Sequence, residues 1–180
     1  MKSTLALTLA ASLFSLVATA EEAAAQAPAP ASAAEVKKPL SAAESIALGE
    51  PTEDYAAALK IAKEQKRPLM LIFTASDWCG WCKLMDRKVF AEKAWDDWAK
   101  TNVVCVTVDF PEDPSKVTPK TRAQNEKLLA RFGVAGFPTF VLLAPGGEKE
   151  IGRTGCPGRD VTPAQFIAEV RKALGTSAAK

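Results

Sequence analysis

The feature that most constrains this chain is the passage from an unbroken apolar run into a pair of cysteines. Residues 69–73 are Leu-Met-Leu-Ile-Phe, and Trp78-Cys79-Gly80-Trp81-Cys82-Lys83 follows after a short polar turn. A run without polar alternation suits a strand buried on both faces of a parallel or mixed sheet. The pattern that follows is helical. The chain therefore delivers a Cys-x-x-Cys pair from a strand to the first turn of a helix. Free N–H groups and the helix dipole at such a turn stabilise a thiolate. The spacing places both sulfurs on one helix face, close enough to bond. Attack by Cys79 on a disulfide would give a mixed disulfide that Cys82 could resolve, which is dithiol–disulfide exchange.

Two other readings of the pair stand beside it. A structural disulfide is the first, although a bond between residues three apart closes a very small loop and restrains the unfolded chain little. A zinc site is the second. It would need Cys105 and Cys156 as well, because the chain has no histidine, and these two lack a paired spacing of their own. The missing histidine also excludes histidine-based acid–base catalysis and catalytic triads. A net charge of +2, with 24% charged residues, gives no reason to expect nucleic acid or an anionic membrane as partner.

Trp-Cys-Gly-Trp-Cys-Lys after an apolar strand resembles the active site of the thioredoxin superfamily. A second signature, Val134-Ala135-Gly136-Phe137-Pro138-Thr139-Phe140, lies downstream in the order the family requires. The resemblance covers residues 52–174 and is nearest to secreted bacterial thioredoxin-like proteins with a Cys-Gly-Trp-Cys centre. It implies an α/β thioredoxin fold in one domain, with a central mixed sheet flanked by helices. It makes Cys79 and Cys82 the catalytic pair and Pro138 a cis-proline facing them. Trp78, Gly80, Trp81, Phe137, Pro138 and Thr139 become the substrate-binding residues, with Trp78, Trp81 and Phe137 as an apolar rim. No cofactor or metal is implied. The partners implied are proteins carrying disulfides or thiols, and a redox partner that supplies electrons. One departure matters: many thioredoxins place a buried aspartate six residues before the first cysteine, where Phe73 stands here, and the lysine that often accompanies it aligns with Cys105. A thioredoxin-like binding or chaperone module with a structural disulfide is the alternative function.

The rest of the chain is read from composition and pattern. Residues 1–20 carry Lys2, an apolar core and a small-x-small end at Ala18-Thr19-Ala20, the pattern of a cleaved signal peptide. A periplasmic or secreted protein without a stable membrane span is the consequence. Residues 21–50, rich in Ala and Pro, read as a flexible linker in which residues 41–48 can form a transient helix. The domain is expected over residues 51–175, followed by a tail at 176–180. Within it, Thr52 is expected to cap a helix ending before Pro68, and Trp95 and Trp98 to pack in the core. A charged, proline-rich loop at 111–119 follows the strand over 103–108. A helix then runs to Phe132, a strand over Phe137–Leu143 turns at Pro145-Gly146-Gly147 into a returning strand over Glu148–Thr154, and Thr162-Pro163-Ala164-Gln165 opens the last helix. Cys105 reads as a core residue. Cys156 lies in a loop that, by the resemblance, borders the active site, and reads either as a third thiol near Cys79 or as a merely exposed one.

Overall fold

The computed structural model describes residues 40–147 and 149–175. The proposed signal peptide, most of the proposed linker and the tail lie outside the described residues. The elements are α1 (Ala42–Leu48), α2 (Tyr55–Glu64), β1 (Leu69–Thr74), α3 (Gly80–Met85), a wide helical turn at Asp86–Phe90, α4 (Lys93–Asn102), β2 (Val104–Asp109), a short tight turn at Pro114–Lys116, α5 (Pro119–Phe132), β3 (Thr139–Leu143), β4 (Glu150–Gly155) and α6 (Pro163–Ala173). No described helix is long and apolar enough to cross a membrane.

The sheet order is β2-β1-β3-β4. Strand β1 is central, parallel to β2 and antiparallel to β3. All six of its residues are buried, which is why its sequence shows no alternation. Its side chains still divide by parity between two cores. Leu69, Leu71 and Phe73 face Val106, Val141, Ala58, Leu128 and Phe132. Met70 and Ile72 face Phe140, Met85, Trp95, Phe166 and Val170 on the other side. Thus α2 and α5 cover one face of the sheet, and α3, α4 and α6 cover the other.

Several local expectations hold. Thr162 and Gln165 form the reciprocal cap of α6, with Pro163 in the first turn. Gly133 ends α5 in the left-handed region, at φ 58°. Trp95 is buried in the second core and Cys105 lies in the same cluster.

Other expectations are corrected. The linker reading fails from residue 41 onward, because Ser41 and Glu44 make a capping box and Ile46, 4% exposed, joins the first core. Composition averaged over residues 21–50 conceals this single apolar anchor. The cap of α2 is Asp54, whose carboxylate accepts from the Ala57 N–H at 3.0 Å. Thr52 instead pairs along β2, its N–H donating to the Cys105 carbonyl and its carbonyl accepting from Thr107. Strand β3 starts at Thr139 rather than at Phe137, beyond a proline that has no N–H for the ladder. Strand β4 starts at Glu150.

Candidate active site

The site forms where β1 ends. Thr74 lies beside Asp109 at the carboxyl end of β2, and the Asp109 carboxylate accepts from the Ser76 N–H at 2.9 Å, turning the chain outward. Cys79 then caps α3 in an extended conformation, and its Sγ accepts from the Cys82 N–H at 3.1 Å. An N–H aimed at this sulfur, at the positive end of a helical turn, favours the thiolate once the bond is reduced. Cys79 and Cys82 are joined as a disulfide, with their Cα atoms 5.2 Å apart. Cys79 is 6% exposed and Cys82 1%, so both reacting sulfurs sit in a largely dry setting.

Phe137 packs against the small buried cluster of Ala75, Cys79 and Cys82. The Phe137–Pro138 peptide bond is cis. Thr139 follows, its hydroxyl donating to the Gly136 carbonyl at 2.7 Å. The two signatures of the sequence, 58 residues apart by the numbering of Cys79 and Phe137 (137 − 79), therefore meet in space. Gly80 is exposed, with open space where a side chain would stand.

Two aromatic walls flank the pair. Trp78, 54% exposed, meets Phe137 edge to face at 5.9 Å, and Phe137 stacks on Phe110 at 5.3 Å. The Trp78 indole N–H donates to the Phe110 carbonyl at 3.1 Å, which fixes the ring. On the other wall Trp81, 43% exposed, carries the Arg159 guanidinium over its ring at 5.1 Å. An exposed aromatic pair held by contacts of this kind offers rigid apolar area to an extended chain.

Asp77 and Phe110 are site residues that the sequence reading did not single out. The Asp77 carboxylate accepts from the N–H groups of Glu112 and Asp113 at 2.9 and 3.0 Å, with Lys116 at 3.5 Å. The Asp77 carbonyl in turn accepts from the Lys83 ammonium at 2.5 Å. The charged loop at 111–119 is therefore tied to the turn that presents Cys79. The two backbone N–H bonds, Asp113 first and then Glu112, with help from Lys116, lower the Asp77 carboxyl to about 2. A lowered value means that the fold favours the carboxylate. Its contribution to stability is present above the unfolded value of about 3.9 and is lost as pH falls through about 2. Asp77→Asn is expected to be less stable than the parent at pH 7, with the gap narrowing as pH falls from about 4 to about 2. Denaturant midpoints across that range check this, and a gap independent of pH would refute it.

The remaining cysteines are free thiols. Burial pushes the Cys105 thiol up to about 12, against the opposing pull of Arg67, so it is an unreactive core group. Cys156 packs against the core on the α6 side, and its Sγ is 3.5 Å from the Gly158 carbonyl. Among the described residues no three His, Cys, Asp or Glu side chains converge as a metal site. Phe73, at the place of the family's buried acid, is fully buried and packs edge to face on Phe132 at 6.5 Å.

Residues 55–174 match the family described as the thioredoxin-like domain. The chain is 34% identical over 123 residues to the disulfide bond reductase DsbH of Chlamydia pneumoniae, covering 68% of this chain and 71% of that protein. It is 33% identical over 107 residues to the thioredoxin-related protein DsbJ of Chlamydia pneumoniae, covering 59% of this chain and only 30% of that longer protein. Among solved structures, a DsbH oxidoreductase superposes with a TM-score of 0.63 at 33% identity, covering 70% of this chain and 85% of the other. A thioredoxin from Thermus thermophilus superposes with a TM-score of 0.52 at 25% identity, covering 68% and 85%. A family match across the whole sheet, centred on a Cys-Gly-Trp-Cys turn that faces a cis-proline, leaves one assignment: the chain belongs to the thioredoxin-like family.

Proposed function

We propose that this chain is an exported thiol–disulfide oxidoreductase that reduces protein disulfides through Cys79 and Cys82. The observation that carries the reading is the Cys79–Cys82 disulfide at the start of α3, packed against Phe137 of the cis-proline turn. In the reduced protein the Cys79 thiolate attacks one sulfur of the substrate disulfide. A mixed disulfide forms and the other substrate sulfur leaves as a thiolate. Cys82 loses its proton and attacks the Cys79 sulfur, which frees the second substrate thiol. The balance is two electrons and two protons passed to the substrate, and the oxidised Cys79–Cys82 pair is the product. A redox partner must then return two electrons.

Trp78, Trp81 and Phe137 are the surface against which the substrate segment lies, with Gly80 allowing close approach and Pro138 and Thr139 shaping the facing edge. Reduction is favoured over oxidation because no histidine stands between the cysteines, and it is a histidine there that stabilises the reduced thiolate in the strongly oxidising relatives. A relative described as a disulfide bond reductase supports the same direction. Export rests on the signal-peptide pattern of residues 1–20, and a periplasmic or secreted setting follows from it.

The test is the equilibrium potential of the pair in a protein beginning at Glu21 with Cys105 and Cys156 changed to serine. The expected value lies nearer the roughly −270 mV of thioredoxin than the roughly −120 mV of a strong periplasmic oxidant. A value at the oxidant end would reverse the direction. Export is checked by the mass of the protein recovered outside the cytoplasm, which should begin at Glu21.

A further inference from the structure

The two aromatic walls beside the cysteines differ in charge. The wall of Trp78, Phe110 and Phe137 is apolar, and three carboxylates beside it are engaged, Asp77 by two backbone N–H groups and Lys116, Asp109 by the Ser76 N–H, and Asp113 by Ser115. The wall of Trp81 carries Arg159. This side chain is exposed and, among the described residues, its guanidinium makes no hydrogen bond or ion pair; its recorded contact is the face of the Trp81 ring.

The backbone beneath it is fixed. Lys88 donates to the Arg159 carbonyl at 3.0 Å, and its ammonium lies 4.0 Å from the Asp160 carboxylate, so the loop bearing Arg159 is fastened to the turn that follows α3. Two acids, Asp160 and Glu169, line the same pocket as Arg159, and the partner of Asp160 is Lys88. The outcome is an exposed planar cation held over Trp81, one of the two residues between the cysteines. Stacking on an aromatic face leaves the in-plane donors of a guanidinium open to a carboxylate.

We propose that Arg159 is a specificity residue: it recognises an acidic side chain next to the reacting cysteine of a polypeptide substrate, while the Trp78 wall takes apolar side chains from the other flank. This rests on the oxidoreductase reading above and names its substrate class. Arg159 takes no part in electron transfer; it holds the substrate segment on the side of Trp81.

The test uses the pre-reduced mature protein and three disulfide-linked peptides that differ only in Glu, Gln or Lys beside the cysteine. Rates of disulfide reduction are read by chromatography after acid quench. The Glu peptide is expected to react about five- to tenfold faster than the Lys peptide at low ionic strength, the scale of one exposed attraction set against one repulsion. The preference should fade at about 1 M salt, where the Debye length is about 3 Å. With Arg159→Glu the order of the Glu and Lys peptides, each relative to the Gln peptide, should invert, and Arg159→Lys should keep most of the original preference.

A Glu-to-Lys ratio unaltered by Arg159→Glu would overturn the inference while leaving the oxidoreductase reading intact, because the Gln peptide would still be reduced. A parallel change for all three peptides with a shifted Cys79–Cys82 potential would also overturn it, placing the effect of Arg159 on the cysteines. Failure to reduce any peptide would overturn the oxidoreductase reading itself, and this inference with it.

Discussion

Changing Cys79 to serine is expected to lower disulfide reduction by more than about 10³-fold, the scale of loss when a covalent nucleophile is removed. The two sulfurs are not equivalent. Cys79 caps α3, with the Cys82 N–H directed at its sulfur and the exposed Trp78 and Trp81 in the same stretch of chain. Cys82 lies one turn further in, is 1% exposed, and can be reached by a substrate only through Cys79. Cys82→Ser should therefore still attack and then stop, accumulating a mixed disulfide at Cys79. Incubation with a disulfide peptide followed by non-reducing mass spectrometry checks both variants. The Cys82→Ser protein should gain one peptide mass and the Cys79→Ser protein none. The reverse pattern would exchange the two roles.

How much of this was legible in the sequence depends on the range over which each contact acts. Strand β1 was legible because burial on both faces leaves an unbroken apolar run. The cysteine pair and Pro138 were legible because each sits in a short motif. The cap of α6 was legible because Thr162 and Gln165 satisfy each other within one turn. Asp77 and Phe110 were not. The partners of Asp77 are Glu112 and Asp113, and the partner of Trp78 is the Phe110 carbonyl, more than thirty residues along the chain. No local period records such pairs. One signal was available for Phe110: it directly follows the last residue of β2, and β2 runs parallel to β1, so it had to emerge at the same sheet edge as Cys79. Thr52 misled because threonine and aspartate are both good caps, and only pairing with β2 decides that Thr52 is extended and Asp54 caps the helix. Arg159 was hidden because a loop arginine carries no pattern until Trp81 is placed beneath it.

The other large effect is on stability, and it separates two tryptophans that composition treats alike. Trp95 is 1% exposed and lies among the rings of Phe90 at 5.2 Å, Trp98 at 5.3 Å and Phe166 at 5.4 Å. Phe166 also meets Phe140 of β3 at 4.7 Å, so this aromatic group joins α4 and α6 to the sheet. Trp95→Ala removes the largest member and leaves a cavity that three rigid rings cannot close, at an expected cost of about 3–5 kcal/mol. Against a domain stability of about 5–15 kcal/mol, that is a substantial part of the whole. Trp81→Ala removes the same side chain from the rim, where it is 43% exposed and loses chiefly the Arg159 contact; the expected cost is below about 1 kcal/mol. Urea or guanidinium unfolding of the two variants measures the difference. Equal losses would mean that the Trp81 wall is part of the core, and a loss below about 1 kcal/mol for Trp95→Ala would mean that the second core repacks freely. With the expected result, the surface that meets the substrate can be altered without unfolding the sheet that positions it, because the aromatic mass holding α4 and α6 is set apart from the aromatic mass around Cys79.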